Sequence, residues 1–254
     1  MNVSRESEEF LGNLRIYLIS SGKNECEVDD IVGELEDHLA EAEKRGKSVE
    51  DVTGLSPKEY MNQISEEMPL DYKGIFKLIS IVLLGGLSFV VMGDTLRDTM
   101  RYSVLELLGY PLIMAGFLFL TSVIFKYVSS RPVSKGKEMS LYVLLASVPI
   151  VSFVGMTFLD RVMDTPIVDL GGTARLFAFI LTIAVFVGLS LYSKTWILII
   201  LPILVFVPEF FIQQSDVPEE TKLILSSISL PVFVGGYFLL WLVAGKNKKE
   251  GRVF

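Results

Sequence analysis

The run Leu176–Ile212, LFAFILTIAVFVGLSLYSKTWILIILPILVFVPEFFI, contains two charged residues in 37 positions, Lys194 and Glu209. It breaks once, at Ser193-Lys194, into the apolar stretches Leu176–Tyr192 and Thr195–Ile212, of 17 and 18 residues. An α-helix needs ~17–25 apolar residues to cross a hydrocarbon core. Two such stretches joined by two residues read as a tight hairpin of membrane helices. Four more runs share the pattern: Leu78–Gly93, Leu107–Phe125, Met139–Leu159 and Leu223–Ala244. Six runs almost free of charge leave no polar face for water, which argues against a soluble helical protein. The first run has only 16 residues, and Lys73 and Lys77 extend it by snorkelling.

The rest of the chain has the opposite character. The whole has 254 residues, 51% of them hydrophobic, with a net charge of −7. Residues 1–71 hold 18 acids against 7 bases, a net of −11, while residues 72–254 hold 12 acids against 16 bases, a net of +4. The expected fold class is therefore all-α: a small acidic three-helix domain over 1–71, followed by a six-helix transmembrane bundle over 72–254 that ends in a short basic tail. So acidic a domain repels nucleic-acid phosphates and anionic lipid head groups, so no direct contact with nucleic acid is expected.

Topology follows from the bases. Met1–Glu9 is polar where a signal peptide would be apolar, which places the N-terminus in the cytoplasm. Lys73, Lys77, Lys126, Arg131, Lys135, Lys137, Lys194, Lys246, Lys248, Lys249 and Arg252 then fall inside. Arg97, Arg101, Arg161, Arg175 and Lys222 fall outside. That bias puts both termini of a multi-pass cell-membrane protein in the cytoplasm. Ten carboxylates, among them Asp94, Asp98, Asp164 and Asp169, fall on the outer side.

Within 4–68, Phe10, Leu11, Leu14, Tyr17 and Leu18 recur at helical spacing, and Gly22 offers a left-handed stop. Asn24-x-x-Glu27 reads as a cap, followed by a stripe of Val28, Ile31, Leu35 and Leu39 that ends at Lys44-Arg45-Gly46. Ser56-Pro57-Lys58-Glu59 opens a third helix with its stripe at Tyr60 or Met61, Ile64 and Met68. About 65 residues close only a marginal core, which docking would support. The lone Cys26 reads as a half-buried thiol at a helix start.

These residues carry a resemblance. Phe10, Leu11, Leu14 and Tyr17, the run Glu34-Leu35-Glu36-Asp37-His38-Leu39 with Glu41-Ala42, Gly46 followed by Ser48, and Ser56-Pro57-Lys58-Glu59-Tyr60 resemble the HAAS domain, a short helical signalling domain of bacterial membrane proteins. The resemblance implies a regulatory role, with a PadR-type winged-helix transcription regulator as cytoplasmic partner. On that basis Glu34, Glu36, Asp37, His38 and Glu41 form the candidate partner surface.

In the membrane part, Glu106 and Glu209 are the candidate ionisable groups, since a charge at membrane depth marks a functional position by default. Asp94, Arg97, Asp98 and Arg101 would share one flank if the outer loop continued as helix. No HExxH, GxSxG, Walker or Rossmann motif occurs, so no catalytic residue, cofactor or metal is expected. His38 between Glu34 and Glu41 lacks the second His or Cys of a zinc set. The reading is a membrane-anchored signalling protein. The alternatives are a transporter, channel or permease accessory subunit, and a lipid- or envelope-modifying enzyme.

Overall fold

The computed structural model describes residues 3–97, 99–163 and 165–250. The chain is almost entirely helical. Helices α1 (Arg5–Ser20), α2 (Glu25–Glu43), α3 (Val49–Thr53) and α4 (Pro57–Glu67) precede α5 (Tyr72–Arg97), α6 (Val104–Ser129), α7 (Lys135–Val162), α8 (Thr173–Ser193), α9 (Ile197–Gln213) and α10 (Glu219–Glu250). By its contacts the chain divides into two compact units, Met1–Leu83 with Leu108–Asp164, and Leu84–Leu107 with Thr165–Phe254.

The first four helices close one core. Phe10, Leu11, Leu14, Tyr17 and Leu18 of α1 meet Val28, Leu35 and Leu39 of α2 and Met61 of α4, with Ile31, Tyr60 and Ile64 partly buried against them. The expected three helices are four. Ser48 N–H and Oγ–H both donate to the Asp51 carboxylate, which starts α3, and Gly54, at φ +65, stops it after five residues. So short a helix has no periodicity to read. α1 and α2 are tied at one end by Glu43, whose carboxylate accepts from Ser4 N–H at 2.9 Å and Ser7 Oγ–H at 2.7 Å. Ser4 first, then Ser7, hold that carboxyl below the usual glutamate range. Cys26 is exposed rather than half-buried.

Each of the six apolar runs falls on a helix. α5, α6, α7 and α8 are long and apolar enough to cross a membrane, and α9 is a shorter apolar helix of 17 residues. The first run is not short in the fold, because α5 extends it at both ends to 26 residues. Pro111, Pro149, Pro202, Pro208 and Pro231 all lie inside continuous helices. The hairpin between α8 and α9 turns at Lys194, which adopts φ 52, and Thr195 N–H donates to Ser190 O at 3.2 Å. Hydroxyls along the spans donate to carbonyls one turn back, as Thr121 does to Phe117 O at 2.7 Å, which satisfies them where water is absent.

The connection after α5 does not continue as helix. Strands β1 (Arg101–Ser103) and β2 (Ile167–Asp169) pair antiparallel, with Arg101 opposite Asp169 and Ser103 opposite Ile167. Asp98 and Asp164 lie outside the described residues, as do Arg252 and the side chains of Lys246, Lys248 and Lys249 in the expected basic tail.

Leu14 is fully buried at the centre of the α1–α4 core. Leu14→Ala should cost about 2–5 kcal/mol there. Limited proteolysis of the full chain should then cut faster within residues 44–56, and an unchanged cleavage rate would contradict this packing.

Candidate functional site

The α1–α2 turn meets the start of α5 through a small set of polar bonds. Asn24 Oδ1 accepts from the backbone N–H of Cys26 at 3.1 Å and caps α2. Its other amide atom, Nδ2, donates to Asp71 Oδ2 at 2.9 Å. Asp71 Oδ1 in turn accepts from Gly74 N–H at 2.9 Å, which caps α5. One side-chain amide thus bridges the N-termini of two helices, both of which favour oxygen acceptors. The backbone closes the same junction, with Asp71 N–H donating to Gly22 O at 2.9 Å and Lys23 Nζ to Met68 O at 2.7 Å. Gly22, at φ +74, allows the approach, because a Cβ there would stand 2.9 Å from Ile75 Cδ1.

The sequence-derived partner residues lie on α2. Glu34, Asp37, His38 and Glu41 are exposed and follow the i, i+3, i+4, i+7 spacing of one face, whereas Glu36 is half-buried. Glu41 pairs with Arg45 one turn on. His38 and Glu41 border a hollow of about 430 Å³ whose apolar wall is Leu35, Val52 and Tyr60. Burial holds the Tyr60 hydroxyl above the usual tyrosine range. The bundle also meets the α6–α7 turn. Lys126 stands over the Tyr17 ring at 4.8 Å, and a groove of about 640 Å³ is lined by Glu6, Phe10, Pro57 and Met61 together with Ser130, Arg131 and Glu138.

The two membrane candidates have different surroundings. Glu106 accepts from Ser103 N–H at 3.1 Å while Glu106 N–H donates to Ser103 Oγ at 3.0 Å, a reciprocal cap that starts α6. Glu209 has a side chain only 7% exposed and accepts from Arg97 Nε at 3.0 Å and from Gln213 Nε2 at 2.9 Å. Arg97 is 53% exposed. Asp94 and Arg97 lie three residues apart on α5, but that helix ends at Arg97 and Arg101 belongs to β1, so the expected flank does not reach Arg101. Asp94 accepts from Tyr102 Oη at 3.0 Å, and Arg101 Nε donates to Asp169 at 3.0 Å. The Asn24–Asp71 bridge and the Arg97–Glu209 pair have no local motif. Asn24 reads in sequence as a cap alone, and the residues of the ion pair are 112 positions apart.

Asn24→Asp separates the two tasks of the amide. Aspartate still caps α2 but sets a carboxylate against Asp71. Hydrogen exchange at Gly74 should rise with the helix content unchanged, and unaltered exchange would show that the side-chain bridge does not hold the junction. The N–H of Gly74 first, and then the Asn24 amide, hold the Asp71 carboxyl below the usual aspartate range. The contribution of a depressed carboxylate is present at neutral pH and lost as pH falls through its lowered pKa. Acidification below the ordinary aspartate range should therefore lower the protection of Gly74, measured against the intrinsic exchange rate at each pH. In the membrane part, Glu209→Gln should cost about 1–3 kcal/mol, since it leaves one partner of the pair uncompensated. A double-mutant cycle with Arg97→Gln, read by thermal unfolding in detergent, should show coupling, and additive losses would deny it.

Residues 89–205 match the family model described as the HAAS transmembrane region, a little under half of the chain. No curated protein and no solved structure matches it. The recognition of a HAAS-type membrane protein, drawn above from residues 4–68, is thus supported by a second stretch, residues 89–205, which is similar to the HAAS transmembrane region.

Proposed function

We propose that this is a multi-pass, non-enzymatic signalling protein of the cell membrane, with both termini in the cytoplasm. Its membrane helices respond to a cue, and its acidic helical bundle changes contacts with a cytoplasmic protein. The observation that carries the reading is the Asn24 amide, which caps α2 and holds Asp71 at the head of α5. α2 carries the exposed face of Glu34, Asp37, His38 and Glu41, so a shift of the first membrane helix reaches that face through a short path. A switch of this kind needs a cue that binds two states of the membrane part with different affinity. The resemblance to HAAS domains implies a PadR-type winged-helix regulator as the partner. A regulator with a basic DNA-binding surface suits a domain of net charge −11.

A carrier or channel component is the second reading, favoured by a buried carboxylate, Glu209, directly after Pro208 in an apolar helix. The two readings separate by experiment. The full chain in nanodiscs should capture a PadR-type regulator in a salt-sensitive manner, and changing Glu36, Asp37 and His38 together to alanine should abolish capture. Failure to capture with the α1–α4 core intact would count against signalling. A carrier would instead lose ion or solute flux in Glu209→Gln, with Glu106→Gln as the companion variant.

A further inference from the structure

Within the second unit, α5, α8 and α9 leave between them a cavity of about 480 Å³ lined entirely by apolar side chains, among them Met92, Leu96, Phe186, Ile203, Phe206 and Phe210. That volume falls in the range of small-ligand sites. Its walls include α5 and α8, both long and apolar enough to cross a membrane. The medium around it is then hydrocarbon, and an apolar cavity stays dry and takes apolar guests. Pro202, buried on α9, forms part of the wall. Without an N–H it leaves one helix bond to the preceding turn unmade, within a helix that stays continuous.

Two lining residues, Leu96 and Phe210, stand next in sequence to a polar pair outside the lining. Leu96 is followed by Arg97, and Phe210 by sequence adjoins Glu209, the two residues joined at 3.0 Å with Gln213 alongside. The pair carries no net charge, and Asp94 also acts on Arg97 electrostatically. An anionic group would therefore meet repulsion from two carboxylates, while an uncharged or zwitterionic group can hydrogen-bond to the half-exposed guanidinium. We infer that the cavity binds one hydrocarbon chain of a membrane amphiphile whose head, of no net charge, lies at the Arg97–Glu209 pair. The inference concerns a binding site in the membrane part and holds whatever the cytoplasmic helices contact.

The test uses the full chain in nanodiscs containing phosphatidylcholine with a diazirine in one acyl chain, and maps the adducts by mass spectrometry after irradiation. Adducts should concentrate on residues 183–187 and 199–211. Val187→Trp, which fills the cavity, should remove that concentration, and Ile203→Ala, which enlarges it, should keep it. Labelling spread evenly over the exposed faces of α7 and α8 would overturn the inference, as would labelling unchanged in Val187→Trp or lost equally in both variants. Stronger cavity labelling by phosphatidylglycerol carrying the same diazirine would overturn the neutral head.

Discussion

Hydrocarbon offers no partner to a backbone N–H or C=O, and this constraint shapes the protein beyond the spans themselves. Every long apolar run must bond its backbone internally, and helix is the form that does so within one segment. The unsatisfied groups are then driven to the helix ends. The polar side chains with the most structural work stand there: Asn24 and Asp71 at the heads of α2 and α5, Ser103 and Glu106 at the head of α6, Ser190 against Thr195 at the α8–α9 turn, and Arg97 at the foot of α5. Even the short ribbon of β1 and β2 fits this rule, pairing backbone groups where the chain is too brief for another helical turn.

α5 joins two of these ends. At about 1.5 Å per residue its 26 residues run about 39 Å, long enough to span the hydrocarbon core. Asp71 precedes its first residue and Arg97 is its last. One end of the helix therefore adjoins a carboxylate bonded to Asn24, and the other carries a guanidinium bonded to Glu209 of α9.

The apolar runs show in sequence the helices they fall on, four of them long and apolar enough to cross a membrane, and periodicity reads the α1, α2 and α4 stripes, because each is long enough to repeat. Leu14, Val28, Leu39 and Met61 fall in the core their spacing suggests. What it misses is short or distant. α3 has five residues and β1 three, and neither shows a period. The Arg97–Glu209 pair joins residues that only tertiary packing brings together, and Asn24 has two roles of which sequence shows one. Glu106 is legible as a charge near an apolar run, but its cap depends on Ser103, three residues back, a short polar signal that the apolar run overshadows.

The acidic bundle is not a freely swinging module. Its core is marginal for its size, and it shares a compact unit with α6 and α7, where Lys126 covers the Tyr17 ring and α1 and α4 border the groove at the α6–α7 turn. The face of α2 with Glu34, Asp37, His38 and Glu41 is left exposed. A partner bound there that favours one disposition of the bundle on the turn must, by linkage, be favoured by that disposition to the same degree. Partner binding would then bias the membrane helices as strongly as the helices bias partner binding, so the protein would report the partner's presence to the membrane as well as the reverse.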